Sequence, residues 1–257
     1  MPAFDDATSA TLRAFAVIET VVAADRPLSL TEVMAAVSLP KPTVHRILGL
    51  LERGGLIAHE PDSKRYIVGP RLARLGADAL MHSSLRGARR AILHRLVDEL
   101  GETCNFTMLD GDQVIYLDRV ETASPLRVNL QPGSHVPLHC TASGKLFLAM
   151  LPRAQRNRLL DQLTLSAHTA NTLTRRAALE RELERIRRER ISTDNEEYLA
   201  GLVCVAVPVA DAKGRICASV AVHAPVARMP LAHALRHLSP LRRAADALAA
   251  TLSGKTP

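Results

Sequence analysis

The segment PLHCTASGKLFLA, residues 137–149, places His139, Cys140, Ser143 and Lys145 close together in the chain. Side chains of these types can form a nucleophile with its base, a phosphate-binding loop, or an anion site at the start of a helix. Their spacing decides which of these chemistries is available.

The spacing does not match the known nucleophile or phosphate-binding motifs. A phosphate loop has glycine where this chain has His139, and Ser or Thr where it has Leu146. A Ser-x-x-Lys acylation pair would require serine at Ala142, and no Gly-x-Ser-x-Gly elbow occurs. We therefore expect no catalytic residues in this segment.

Metal ligation is also not expected from the spacing. His135 and His139 are four residues apart, but Pro137 between them prevents the helix that would bring them together. The four cysteines form no Cys-x-x-Cys pair and are interpreted as reduced, mostly buried thiols. The sequence predicts no metal site and no cofactor.

The segment does contain a helix start. Thr141 or Ser143 can begin a helix that continues through GKLFLAML, and the N–H groups of its first turn favour a carboxylate. His139 lies beside this turn in the sequence. The alternative is that Thr141 and Ser143 only cap their own helix, and this segment alone does not distinguish the two interpretations.

Composition indicates a globular chain with a polyanionic partner. The 257 residues suffice for two domains, and 47% of them are hydrophobic. The net charge is +7 and the pI is about 9.7, which favours association with nucleic acid. No apolar run approaches the length of a membrane span and the N-terminus does not resemble a secretion signal, so we expect a cytoplasmic protein that does not contact membranes.

Residues 1–69 have the pattern of a winged helix-turn-helix domain. A first helix is predicted over 11–24, with Leu12, Phe15, Ile18 or Glu19, and Val22 on the side facing the core, and a short second helix is predicted over 29–37. A third helix starts near residue 41 and ends at a Gly-Gly pair, and its predicted core positions are Val44, Ile47, Leu48 and Leu51. LIAHE and RYIVG around the turn PDSK predict a β-hairpin, the wing.

This order of elements predicts binding to the major groove of double-stranded DNA by the third helix. Residues 38–74 hold seven basic and three acidic residues, an excess where DNA phosphates would lie. The predicted contacts are Lys41, Thr43, His45 and Arg46 on the third helix, with Lys64 and Arg65 on the wing.

A helix is predicted over residues 70–86, as a stiff linker to a second domain over 87–257. In that domain, helices are predicted at 89–100, 153–163, 174–190 and 231–252, with strands in TCNFTMLDGDQVIYLDRV, PLRVNL and GLVCVAVPVADAKGRICASVAVHAP. The expected fold class is α+β, an antiparallel sheet with helices packed around it.

The stretches RAFAVIETV, SLTEVMAAVSLPKPTVHRILGLLERGGLI and KRYIVGPRLARLG resemble the winged helix-turn-helix of IclR-type bacterial transcriptional regulators, and the resemblance extends over roughly residues 10–250. It implies a GAF-like effector-binding domain and assembly as a homodimer or a dimer of dimers (a homotetramer). It also implies that the linker helps to pair the DNA-binding heads.

The resemblance further implies an effector pocket at Val136, Ala142, Ser143, Asp194, Cys204 and His223. From the residues alone, Cys204 could equally be an inert core thiol and Asp194 a solvated loop acid. His139 and His223, if both face the pocket, would suit a carboxylic or aromatic acid. Lys145 is expected to be a surface or tethering charge.

The predicted function is a sequence-specific regulator that binds operator DNA and responds to a small organic acid. One alternative is an enzyme that uses Cys204, His139 and Asp194, although no motif supports it. The other is an architectural DNA-binding protein without a ligand, which the size of the second domain disfavours.

Overall fold

The computed structural model describes residues 9–24, 26–61, 63–82, 85–125 and 130–252. The chain forms two compact units, Met1–Ala79 and Leu80–Pro257. Within the described ranges, no helix has both the length and the apolar character needed to cross a membrane.

The N-terminal unit is a helical domain with a hairpin. Its elements are α1 (Ala10–Ala23), α2 (Leu30–Val37), α3 (Lys41–Arg53), β1 (Ile57–His59), β2 (Tyr66–Val68) and the beginning of α4 (Pro70–Met81). A capping box starts α2, because Ser29 Oγ accepts from Glu32 N and the Glu32 carboxylate accepts from Ser29 N at 2.7 Å. The helix ends at Ser38, which has the left-handed φ of 53°.

The buried side of α1 differs from the one predicted. Ala16, Val17 and Val21 face the core and Ile18 packs partly buried against it, whereas Leu12, Phe15 and Val22 are exposed. Apolar residues occupy neighbouring stripes of this helix, so helical periodicity alone could not select the side that packs. The buried face predicted for α3 is confirmed, with Val44, Ile47, Leu48 and Leu51 all in the core.

The predicted wing is present as an antiparallel pair of strands. Ile57 lies opposite Val68, and His59 lies opposite Tyr66. Tyr66 also exchanges backbone hydrogen bonds with Leu28, which joins the hairpin to the segment before α2. The position of the wing is therefore fixed against the helices by main-chain contacts.

The C-terminal unit has a six-stranded antiparallel sheet with helices on both faces. The helices are α5 (Arg86–Leu100), α6 (Ala142–Met150), α7 (Arg153–Gln162), α8 (Arg176–Glu189), α9 (Leu231–Ala234) and α10 (Leu238–Leu252). The strands are β3 (Thr103–Asp110), β4 (Gln113–Val120), β5 (His135–Pro137), β6 (Ser192–Asn195), β7 (Leu202–Ala210) and β8 (Ile216–Pro225), in the spatial order β5-β4-β3-β8-β7-β6.

Alternation along the strands divides the core into two layers. Val205 and Val207 of β7 pack with α5 and α10 on one face of the sheet. Cys204 and Ala206 point to the other face and pack with α6 and α8. The second face carries the polar residues of the predicted effector pocket.

Several predicted elements differ in detail. Most of the strand predicted at PLRVNL lies outside the described residues. Two short strands, β5 and β6, occupy segments for which the sequence predicts no strand, and the last helix is interrupted by a 3-10 turn at Leu235–His237. Short strands of three or four residues carry too little alternation to be recognised from sequence.

Candidate functional site

The exposed side of α3 presents the residues predicted to contact DNA. Lys41, His45 and Arg46 are exposed, and Thr43 is half-buried. Pro40 precedes the helix without a side-chain cap, Pro42 has no N–H, and Thr43 N donates to the Pro40 carbonyl at 3.0 Å, so in the first turn the N–H of Lys41 remains available to an anion such as a phosphate. The opposite side of α3 is buried, which fixes the orientation of the exposed side.

The two wing residues have different surroundings. Lys64 is exposed. Arg65 Nη1 instead donates to Glu32 Oε2 and to the carbonyl oxygen of Pro27, each at 3.1 Å. Hydrogen bonds from Arg26 and Ser29 also act on Glu32 and lower its pKa to about 2. Arg65 thus ties the wing to α2 in this structure, and a DNA phosphate would have to compete with these partners.

A small cavity lies between the start of α6 and the polar face of the sheet. Six of the seven predicted effector residues line it, namely Val136, Ala142, Ser143, Asp194, Cys204 and His223. The other lining residues are Asn105, Tyr116, Leu130, Thr141, Tyr198 and Leu202. The space inside that admits water is about 20 Å³, enough for about one water molecule.

His139 is the predicted residue that does not line this cavity. Its Nε2 atom donates to the carbonyl oxygen of Ser166 at 2.9 Å, and its ring lies 5.8 Å from the ring of His168. The segment between α7 and α8 therefore holds His139 away from the cavity wall. The hypothesis of two imidazoles facing one ligand is not supported by this arrangement.

The helix start at α6 combines capping with available N–H groups. Thr141 Oγ1 accepts from Gly144 N at 3.2 Å and donates to the Pro137 carbonyl at 2.6 Å. Ser143 does not cap the helix, because its hydroxyl lies 3.1 Å from Ser219 Oγ. Thr141 thus satisfies one of the first-turn donors, while Ala142 N and Ser143 N occupy helix positions without an intrahelical acceptor.

Strand register brings three of the predicted residues into one row. Asp194 of β6 lies opposite Cys204 of β7, and Cys204 lies opposite His223 of β8. Asp194 is buried rather than solvated, and its Oδ1 accepts from Glu197 N at 2.7 Å. Burial raises the pKa of Asp194 to about 7, so this carboxyl changes its charge near neutral pH.

A buried guanidinium that sequence reasoning missed lies behind this row. Arg119 Nη1 donates to His223 Nε2 at 2.7 Å, and both side chains are buried. Burial, together with the nearby Arg119 charge, lowers the pKa of His223 to about 3. The imidazole is therefore neutral, with its proton on Nδ1, and the positive charge at this end of the cavity belongs to Arg119.

Asn105 is a second residue that the sequence did not reveal. It lies opposite Arg119 in the β3–β4 pair and lines the cavity. Its Nδ2 atom is buried and has no hydrogen-bond partner among the described residues, which is an uncommon and costly situation for an amide. Strand pairing places Asn105 here, and no local sequence motif indicates such pairing.

The enzyme alternative does not fit this geometry. Cys204 lies in the cavity wall, but burial raises its thiol pKa well above the ordinary value, so a reactive thiolate is disfavoured. His139, the base of that hypothesis, points to Ser166 instead. His135, the other histidine near this segment, does not line the cavity; its Nε2 atom lies 2.8 Å from Asp110 Oδ2.

Lys145 is buried and tethers α6 rather than facing solvent. Its ammonium group contacts the Glu197 carboxylate and lies 3.8 Å from Glu182 Oε1. Of the two alternatives for this lysine, a surface charge or a tether, the structure supports the tether.

Comparison with protein families matches both parts of the chain. The IclR helix-turn-helix domain matches residues 10–61, and the domain described as bacterial transcriptional regulator IclR C-terminal matches residues 77–250. The probable transcriptional regulator SauR of Cupriavidus necator is 50% identical over 95% of this chain and 96% of its own. The regulator BhcR of Paracoccus denitrificans is 34% identical over 81% of this chain and 75% of its own.

Solved structures agree with this fold. IclR of Thermotoga maritima has a TM-score of 0.63 and 28% identity, and the match covers 94% of this chain and 98% of that one. The inducer-binding domain of PobR from Acinetobacter, a double mutant in complex with 3-hydroxybenzoic acid, has a TM-score of 0.59 and 25% identity over 65% of this chain and 98% of its own. These related proteins are transcriptional regulators and not enzymes.

Proposed function

The chain belongs to the IclR family of bacterial DNA-binding transcriptional regulators, and we propose that it recognises a specific operator and that a small organic acid in the C-terminal cavity changes this binding. The wing and the exposed side of α3 perform the DNA recognition, through Lys41, Thr43, His45, Arg46 and Lys64. Arg65 contributes by holding the wing in position.

The observation that carries the acid hypothesis is the set of donors around the cavity. Asn105 Nδ2 lacks a partner among the described residues, and Arg119 supplies a buried positive charge behind His223. The N–H groups of Ala142 and Ser143 add the positive end of a helix dipole. A carboxylate would satisfy the Asn105 donor and be attracted by the Arg119 guanidinium, which also forms an ion pair with Glu121 at 3.4 Å, whereas a neutral apolar ligand would leave the Asn105 donor unsatisfied.

The complex of the Acinetobacter PobR domain with 3-hydroxybenzoic acid supports the same ligand class for this chain. The cavity has room for about one water, so an acid of any size requires its walls to separate. That separation provides the physical link to DNA binding, because an effector acts only through a difference in affinity between two conformations.

Operator binding by a homodimer, or by a dimer of dimers, fits the same proposal. One winged helix contacts a single half-site, and two-fold assembly doubles the number of base contacts. The predicted domain division has a DNA-binding region at 1–69, a linker at 70–86 and an effector domain at 87–257. In this division α4 belongs to the linker.

A ligand screen on the full chain tests the proposal. Thermal unfolding is measured with a panel of aliphatic and aromatic carboxylates, each paired with its neutral amide, because a ligand of the native state raises the unfolding midpoint. We expect at least one acid, and not its amide, to raise the midpoint and to change affinity for an operator selected from random DNA duplexes. The acid hypothesis is overturned if no acid does both.

Asn105→Leu is the matched variant for this screen. Leucine has a similar size and removes the buried amide, so the unliganded protein should keep or gain stability. The response to the acid should be lost, because the ligand loses a donor. An unchanged acid response would remove Asn105 from the binding site.

A further inference from the structure

Three potential metal-binding side chains converge beside α6, outside the cavity described above. The donor atoms of His139, Cys140 and His168 all lie within 4.8 Å of one another. We propose that these residues form a binding site for zinc or a similar borderline transition-metal ion, with one coordination position left open. Imidazole nitrogen and thiolate sulfur are the donors that such ions prefer.

The contact between His139 and Ser166 leaves one ring nitrogen of His139 for a metal ion. A carbonyl oxygen can only accept, so the contact with Ser166 places the ring proton of His139 on Nε2. Burial lowers the pKa of His139, so the ring is neutral near pH 7 and Nδ1 carries a lone pair. A ligating histidine commonly donates its other N–H to a backbone carbonyl in this way, which fixes the tautomer and the ring orientation.

Cys140 supplies the sulfur from a buried position directly before the N-cap Thr141. Burial, with the negative charges of Asp194 and Glu197, raises the pKa of this thiol to about 12. Those carboxylates favour a cation at the same place, while Lys145 opposes it but is paired with Glu197. When the ion binds, the thiol proton leaves to solvent and a thiolate–metal bond takes its place.

His168 is the exposed member and gives the ion access from solvent. Its backbone N–H donates to Thr172 Oγ1 at 3.0 Å, so the main chain is held while the ring is exposed. Tetrahedral zinc, with bonds of about 2.0–2.3 Å, holds its donors roughly 3.3–3.6 Å apart. Any donor atoms that lie farther apart, up to the 4.8 Å observed, must therefore come closer, and the exposure of the His168 ring permits such a movement.

The proposed metal site adjoins the effector cavity through two connections. Cys140 leads directly into Thr141 and Ala142, which line the cavity, and the ring of Tyr198 lies 5.3 Å from His168 while also lining it. An ion would therefore fix the loop before α6 and one cavity wall. The open position could take water or a donor atom of another ligand. The proposal does not depend on the acid hypothesis, because it concerns a different set of residues.

Cobalt binding to the full chain tests this site. Co²⁺ is titrated into reduced, metal-free protein, and absorption is followed for the thiolate-to-cobalt charge-transfer band and the intense visible bands of four-coordinate cobalt. We expect one equivalent to bind with both signals, and Zn²⁺ to displace it. The absence of a charge-transfer band at saturating Co²⁺ would overturn the proposal.

Variants distinguish this site from other thiols and imidazoles. Cys140→Ser should abolish the charge-transfer band, and His168→Ala should weaken Co²⁺ binding at least about tenfold, since even the loss of an outer-shell partner costs that much. His168 is exposed, so its substitution should leave the fold intact. Cys217→Ser and His135→Ala are the controls and should bind Co²⁺ like the original protein. Unchanged binding by His168→Ala would contradict the proposal.

Discussion

Arg119 Nη1 and His223 Nε2 form a buried hydrogen bond of 2.7 Å that joins β4 to β8, the two neighbours of β3, beside the effector cavity. Because Nε2 accepts from a guanidinium, His223 is a neutral donor through Nδ1, and Arg119 provides the charge. The electrostatic character of the cavity therefore depends on a residue that does not itself line it.

Arg119→Met should remove this charge while keeping much of the side-chain volume. We expect the affinity for the acid found in the ligand screen to fall, because a carboxylate in the cavity loses its Coulombic attraction to a buried positive charge. Isothermal titration calorimetry measures this change. Operator affinity in the absence of acid serves as the control and should stay the same, because Arg119 lies in the C-terminal unit. If the affinity for the acid is undiminished, the positive charge of Arg119 does not contribute to binding the acid.

Asp194 makes stability depend on pH in a defined direction. Its pKa is about 7 in the folded chain because of burial, against about 3.9 when unfolded. Between these values the unfolded chain has released the proton and the folded chain retains it, so stability falls as pH rises from about 4 to 7. Asp194→Asn removes this penalty, and its melting temperature relative to the original protein should be higher at pH 8 than at pH 5.

Asp211→Asn is the matched control for that measurement. Burial opposes ionisation of Asp211, but hydrogen bonds from Arg215 lower its pKa overall. The stability that Asp211 contributes is therefore lost as pH falls, the opposite sign to Asp194. If the melting-temperature difference for Asp194→Asn does not change with pH, this carboxyl does not titrate near neutrality.

The parts of the fold in which hydrophobic residues recur at helical or strand spacing could be predicted from the sequence. The α3 face, the wing and the β7–β8 pair follow from spacing and turn residues alone. The α1 face was not, because Leu12 and Phe15 form an apolar stripe next to the one that packs. Both stripes have helical periodicity, so the packing of α1 against the rest of the domain determines which of them is buried.

The residues of the candidate site also fall into a predicted group and an unpredicted group. The family resemblance supplied the cavity residues on α6 and on strands β6 to β8. Asn105 and Arg119 come from β3 and β4, and only register across the sheet brings them to the cavity. His168 approaches His139 from a segment without regular secondary structure, so no spacing rule could have linked them.

Lys145 stabilises the C-terminal unit through its contact with Glu197, and both side chains are buried. Lys145→Met leaves the Glu197 carboxylate buried without its partner, which should cost about 3–5 kcal/mol in the free energy of unfolding. Urea denaturation followed by circular dichroism measures the loss. Lys145→Met combined with Glu197→Gln should recover much of it, because no uncompensated charge remains. A double variant no more stable than the single one would show that packing, and not charge, sets the cost.

Arg46 and Arg65 should affect DNA binding to different extents, although both were predicted as contacts. Arg46 is exposed on α3, and Arg46→Ala should weaken operator binding by roughly 1–3 kcal/mol if it reads a base. Arg65 donates to Glu32 and Pro27, so Arg65→Ala should cost less affinity and instead lower the melting temperature of the N-terminal unit. Fluorescence anisotropy with the selected operator and with scrambled DNA separates the two effects. An equal loss of operator affinity in both variants, without a change in melting temperature, would mean that Arg65 exchanges Glu32 for a phosphate when DNA binds.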